Sequence, residues 1–262
     1  MKWIDSHAHY NDEKFNEDRE EILRLLKEEG IKKVITAGYS LQSSKEAIKI
    51  SDQYPFIYNT IGISPNDIPE QKEELKEELE QLKKLASLSE KTVAIGEIGL
   101  DYHWNTENKE IQQMAFKEQI KLANDLKLPI VIHTREAVMD TIQILKENLP
   151  NEKGVFHCCP LNRELVKEAL KLGFYISFAG PVTFKNSKNA NEIIEMVPDD
   201  KILVETDSPY LSPEPNRGKR NDSRNIRHIV EKIVQVKQKG VEEVTEMIYQ
   251  NLIRLFKIEK EK

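Results

Sequence analysis

The chain is poor in cysteine, in long apolar runs and in surplus positive charge, and each shortage narrows what it can be. Its two cysteines, Cys158 and Cys159, are adjacent. Neighbours make a poor disulfide framework, and without a Cys-x-x-Cys there is no zinc ribbon or redox motif. A reducing compartment is therefore expected. No apolar stretch approaches the roughly 20 residues that span a bilayer. The N-terminus lacks a basic-then-apolar leader, being interrupted by Asp5 and His7. These absences predict a cytoplasmic protein with no membrane partner, expected to act as a monomer. The net charge of −6 excludes a sheath-like nucleic-acid binder with a broad basic face. It leaves room for an enzyme whose local field is inverted by bound cations. No G-x-G-x-x-G follows the first strand candidate, which weakens a dinucleotide-binding reading. Linkers, repeats and low-complexity tracts are also missing, so one domain over 1–262 is the simplest division.

What the chain does have is alternation. Eight short β-rich runs, KWIDSHAH, KKVITAG, IYNTIGI, TVAIGEIGL, PIVIHT, KGVFHC, FYISFAG and KILVETD, recur from end to end. Between them lie charged segments, such as 20–30, 73–88, 115–126 and 163–173, whose apolar residues repeat at three- and four-residue spacing. Gly30 and Gly173 sit where helix C-caps belong. Two further helices, 223–238 and 241–256, are expected to pack outside and close the structure. Strands each followed by a helix indicate parallel βαβ units. Eight units in 262 residues predict an α/β fold, a (β/α)8 TIM barrel, with a doubly wound open sheet as the competitor.

Of the six histidines, four end predicted strands: His7, His9, His133 and His157. Glu97 and Asp207 do the same in AIGEIGLD and LVETDSP. In a (β/α)8 barrel the C-terminal strand ends converge on one mouth, where catalytic groups collect. Any one of these residues has a bland reading. A lone histidine is more often satisfied by a carbonyl, Glu97 could pair with a lysine, and Asp207 could cap a helix. That all fall at equivalent strand ends favours a metal centre. Six ligands exceed the needs of one tetrahedral ion but suit two divalent ions sharing a carboxylate. Mixed imidazole and carboxylate donors suit zinc, manganese or iron, and magnesium if waters complete its shell.

The blocks DSHAHYND, GEIGLDYHW, VIHTREA, FHC, ETDSPYLSP and RGKRN, with the terminal YQNLIRLF, resemble those of the TatD family of metal-dependent deoxyribonucleases, within the amidohydrolase-like superfamily. The resemblance runs essentially end to end. It implies a (β/α)8 barrel with divalent metals and 3′–5′ exonuclease activity, chiefly on single-stranded DNA. It implies that His7, His9 and Asp207 hold one metal, His133 and His157 a second, and that Glu97 bridges them. Asp207 would also be the general base. Arg135 and the loop cations Arg217, Lys219 and Arg220 would meet phosphate. His103, which lies past the strand in LDYHW, has two readings from its position, a group that helps bind or protonate the leaving group and, more often for a loop histidine, a solvated side chain. The pattern departs from the family where Gly-x-His-Pro is usual and Gly62-Ile63-Ser64-Pro65 stands instead. Ser64 thus replaces a histidine thought to contact substrate, which bears on phosphate handling or substrate choice and leaves the metal set complete. Cys159-Pro160-Leu161-Asn162 replaces an aromatic-Ser-Gly turn, and Asp222-Ser223 replaces Glu-Pro.

Two other functions stay open at this point. One is hydrolysis of an amide, lactone or aminoacyl ester with the same metals, since fold alone does not decide substrate. No fourth-strand lysine is available as a carbamylated bridge, Glu97 occupying that place, which leans toward phosphodiester chemistry. The other is a non-catalytic barrel whose metals serve stability. His228 is read as a surface residue, and 70–91 as a solvated helix face.

Overall fold

Parallel pairing in strict chain order organises the protein, β1 next to β2 and so on to β8. The computed structural model describes residues 1–104 and 107–258. The strands are β1 (Trp3–Ala8), β2 (Ile31–Ala37), β3 (Ile57–Ile61), β4 (Thr92–Asp101), β5 (Ile130–Arg135), β6 (Gly154–Phe156), β7 (Tyr175–Phe178) and β8 (Ile202–Val204). The helices are α1 (Arg19–Glu28), α2 (Leu41–Gln53), α3 (Lys72–Ala86), α4 (Lys109–Leu126), α5 (Val138–Glu147), α6 (Arg163–Lys171), α7 (Ala190–Met196), α8 (Ile226–Lys237) and α9 (Val241–Phe256). This is the expected barrel, not the open sheet. Among the described residues no helix is long and apolar enough to cross a membrane.

The strands are β-branched runs buried on both faces, with Ile35, Ile57, Ile95, Ile132 and Ile176 fully enclosed. Burying each such side chain contributes about 1.5–3 kcal/mol against the entropy of ordering the chain. Charged helices cover the outside. In α3 only Leu75 and Leu82 are buried, so most of that helix is a solvated face. Helices α8 and α9 pack across β1 and β8. There the barrel is joined at its mouth by two backbone hydrogen bonds, Asp207 N to His7 O at 3.0 Å and His9 N to Ser208 O at 2.7 Å. The buried Asp5 carboxylate spans the same seam, accepting from Thr206 N at 2.9 Å and Ser223 Oγ at 2.6 Å.

Three boundaries differ from the sequence expectation for identifiable reasons. Strands β6 and β8 stop before His157 and Asp207, because the next turns are in the left-handed region, Cys158 at φ 37° and Asp207 at φ 55°. Helix α4 begins at Lys109 instead of 115. Its first core-facing residue is polar: buried Gln112 accepts from Asp101 N at 2.9 Å and donates to Asp101 O at 3.0 Å. Apolar periodicity does not register such a residue.

Candidate metal centre

His7 lies in β1, and His9 follows one residue beyond that strand. Alternation along an extended chain aims both rings the same way, and their Nε2 atoms stand 3.2 Å apart. Asp207 Oδ1, just past β8, is 3.2 Å from His9 Nε2 and 3.7 Å from His7 Nε2. From the other side, His133 of β5 presents Nδ1 and His157, just past β6, presents Nε2, 3.1 Å apart. Glu97 of β4 sits between the two groups. Its Oε1 is 3.0 Å from His133 Nδ1 and 3.3 Å from His157 Nε2. Its Oε2 is 3.4 Å from His7 Nε2 and 3.7 Å from His9 Nε2. Ligands bound at 2.0–2.1 Å to one tetrahedral ion lie about 3.3 Å from each other. The observed spacings are therefore those of donors facing shared centres. Among the described residues, His7–His9–Asp207 and His7–Glu97–His157 are groups whose ligand atoms all lie within 4.8 Å of one another, and they share His7.

The ring nitrogens turned away from the centre are held too. His9 Nδ1 meets the carbonyl of Ala37 at 3.2 Å. His133 Nε2 meets Asp101 Oδ2 at 3.0 Å, and His157 Nδ1 meets Glu205 Oε1 at 3.2 Å. Such partners fix the tautomer and the ring angle of metal-binding histidines. His7 is the exception: its Nδ1 is buried with no hydrogen-bond partner. A packed core would not gather four imidazoles and two carboxylates around a shared space, so the donor set fits divalent cations.

Electrostatics agrees with the geometry. Burial pushes the Glu97 carboxyl up, but the His157, His133 and His7 rings outweigh it and hold the group well below the usual carboxylate range. Asp207 is likewise lowered against its burial by the His9 hydrogen bond and charge. Burial and the neighbouring His157 lower His7, favouring the neutral ring a metal requires. Against their burial, Asp207 raises His9, Asp101 and Glu97 raise His133, and Glu97 and Glu205 raise His157. Those three rings would release protons on binding a cation.

Backbone sterics place Glu97 and His133. Gly99 pairs with His133 in the β4–β5 ladder and has φ of 138°, which L side chains rarely adopt. A Cβ there would lie 2.0 Å from the His133 carbonyl oxygen, so only glycine lets the two strands approach at this point.

The centre forms the floor of a cavity of about 730 Å³. Its walls include Asp12, Asp67 and Asp101 as well as the ligand carboxylates, and Arg135 is the one lysine or arginine among its described lining residues. Ser64 lines it too, but its Oγ is engaged, donating to Asp67 Oδ2 at 2.5 Å. His103 does not line the cavity and pairs with Glu136 at 2.7 Å. The RGKR loop is not brought to the cavity either. Arg217 stacks on Phe184 at 4.2 Å, Arg220 is paired with Asp18 and donates to the Lys14 carbonyl at 2.7 Å, and Lys219 and Arg220 line a separate cleft. A salt bridge from Arg220 to Asp18, just before α1, and the Arg217–Phe184 contact thus engage two of the three cations expected to meet phosphate. His228 pairs with Glu231 at 3.4 Å, on the outer helix α8.

Sequence reasoning missed Asp101, Glu205 and the Ala37 carbonyl. The first two lie in the same blocks as the ligands, four residues after Glu97 and two before Asp207. A search for carboxylates able to orient each histidine, as well as ligands, would have pointed to them.

Comparison with known proteins agrees with this arrangement. A family model described as TatD related DNase matches residues 4–257. The uncharacterized metal-dependent hydrolase YabD of Bacillus subtilis is 41% identical over 256 residues, 97% of this chain and 99% of its own. The uncharacterized metal-dependent hydrolase YcfH of Escherichia coli is 35% identical over 266 residues, 99% of this chain and 97% of its own. Among solved structures, YjjV, a TatD homologue from Escherichia coli, has a TM-score of 0.91 at 24% identity, covering 98% of each chain, a likeness of fold.

Proposed function

The chain belongs to the TatD-related DNase family of metal-dependent hydrolases, and from that premise we propose that it hydrolyses phosphodiester bonds at the 3′ ends of single-stranded DNA. The observation that carries this reading is the posture of Glu97. Its two oxygens face separate histidine groups, Oε1 toward His133 and His157 and Oε2 toward His7 and His9. A carboxylate shared by two ions suits in-line displacement at phosphorus, where attacking and leaving oxygens both need stabilising.

In this reading His7, His9 and Asp207 would hold one divalent cation and His133 and His157 the other, with Glu97 the carboxylate that faces both histidine groups. When bound, such ions supply Lewis acidity and make a water nucleophilic near neutral pH. The remaining work falls to side chains. Asp207, kept ionised by His9, accepts the proton of the attacking water. Arg135, on the cavity wall, pairs with a phosphoryl oxygen whose negative charge grows in the transition state. Asp101 and Glu205 keep the His133 and His157 rings oriented throughout.

The experiment is direct. Protein stripped of metal is reloaded separately with magnesium, manganese or zinc, then offered end-labelled single-stranded DNA, RNA and a panel of esters and lactones. Stepwise shortening from the 3′ end is expected. Ester or lactone cleavage without nuclease activity would overturn the proposal in favour of carbonyl hydrolysis.

A further inference from the structure

Trp104 is 69% exposed, yet it lines the same cavity as the metal ligands. An indole this open to water is informative when it stands beside a reactive centre. The chain segment that carries the ring is anchored to that centre. The Trp104 backbone N–H donates to Asp101 Oδ1 at 3.2 Å, while Asp101 Oδ2 holds His133 Nε2 at 3.0 Å. One carboxylate therefore ties the main chain at Trp104 to a ring of the candidate metal site. The Arg135 guanidinium lies 5.2 Å from the Trp104 ring centroid, and most of the ring remains uncovered even so. Across the barrel, Tyr210 in the segment after β8 forms the facing wall, its hydroxyl donating to Asp12 Oδ2 at 2.6 Å.

A flat apolar face, a cation beside it and an acidic centre suited to metals match the alternation of a nucleotide, in which a planar base adjoins an anionic phosphate. We propose that Trp104 is the stacking platform for the nucleobase adjoining the scissile phosphodiester, with Arg135 beside it on that phosphate. The inference rests on the phosphodiesterase reading and deepens it. Stacking uses a π-face that every base has, so the platform binds all four bases and confers little sequence preference. An aliphatic ester or a lactone has no such face and gains nothing comparable from the ring.

The chain has two tryptophans, Trp3 and Trp104, which makes the test spectroscopic as well as kinetic. In a Trp3→Phe protein loaded with magnesium, Trp104 is the sole indole. Its emission should be quenched saturably by dTMP, and not by deoxyribose 5-phosphate, which carries the same phosphate without a base. On single-stranded oligothymidylate, Trp104→Ala should raise KM by about tenfold or more with kcat little changed, and Trp104→Phe should recover most of the loss. The melting temperature of Trp104→Ala should match the parent, since the ring is largely exposed. Unchanged KM in Trp104→Ala, or equal quenching by the two phosphates, overturns the platform and leaves the nuclease reading standing. If the parent protein cleaves no oligonucleotide with any of the three metals, both readings fall together.

Discussion

Asp101 and Glu205 touch no reacting atom in the proposed mechanism, yet each holds one histidine ring from behind. Replacing Asp101 by Asn keeps the volume and an oxygen acceptor but removes the charge that makes His133 a better donor. Asp101→Asn should weaken metal affinity by about 10–100-fold, read by competition with a chelating dye. Affinity equal to the parent would show that His133 needs no such support. Asp207 tests the chemistry itself. Its carboxylate is placed to take the proton of the attacking water, so Asp207→Asn should lower turnover by about 10²–10⁴-fold at saturating metal, with the melting temperature preserved. Near-normal metal-dependent hydrolysis by that variant would refute the assignment. The clustering of the six candidate ligands was legible because His, Glu and Asp at strand ends are rare coincidences. Their supports were not, because a carboxylate facing a ring from another strand leaves no spacing signal in the chain. The engagement of two of the loop cations was not legible for a related reason. The contacts of Arg217 with Phe184 and of Arg220 with Asp18 depend on which segments the fold brings alongside.

Strands and helices were legible where a single period dominated. The β-branched runs predicted β1 to β5 closely, and the a/d-like stripes of α1, α6 and α9 were read nearly to their ends. The failures occur where polar groups take core positions. Gln112 serves the backbone of Asp101 from inside α4, and Gln119 does the same for Ile63, donating to its carbonyl at 2.9 Å and accepting from its N–H at 2.8 Å. Buried amides of this kind join a helix to a strand end beside the site, and a hydrophobic pattern scores them as surface. The β4–β5 pairing carries its own test. Gly99→Ala would push a methyl group into the His133 carbonyl and force a φ that alanine tolerates poorly. A loss of about 2–5 kcal/mol is expected from the combined strain and overpacking, measured by denaturant unfolding. Metal affinity should fall with it, because the displaced carbonyl belongs to a ligand residue. A stable Gly99→Ala variant with normal metal affinity would mean that the two strands separate there at little cost.

The six candidate ligands come from positions 7 to 207 of the chain and from five of the eight strand ends. Bound cations would therefore tie β1, β4, β5, β6 and β8 to one another around the barrel mouth. The unfolded chain has no such site, so binding free energy becomes folding free energy. The seam makes this coupling strongest between the ends of the barrel. His7 and Asp207 meet across it, beside the backbone hydrogen bonds, the Asp5 carboxylate and the Tyr210–Asp12 hydrogen bond that also join the two ends. Without cations, the rings supply the positive charge that keeps Glu97 and Asp207 ionised: against its burial His157 is pushed well up by Glu97 and Glu205, and His9 is pushed up by Asp207. Metal therefore displaces protons from the rings it binds, and its stabilisation should be larger at higher pH. Manganese or zinc at about 100 times its dissociation constant should stabilise the protein by about 2.7 kcal/mol, and the midpoint should keep rising as metal is increased. Chelator should return it to the metal-free value. Thermal unfolding followed by circular dichroism across a metal titration measures this directly. A midpoint indifferent to metal and chelator alike would show that the clustered histidines and carboxylates are not a metal centre.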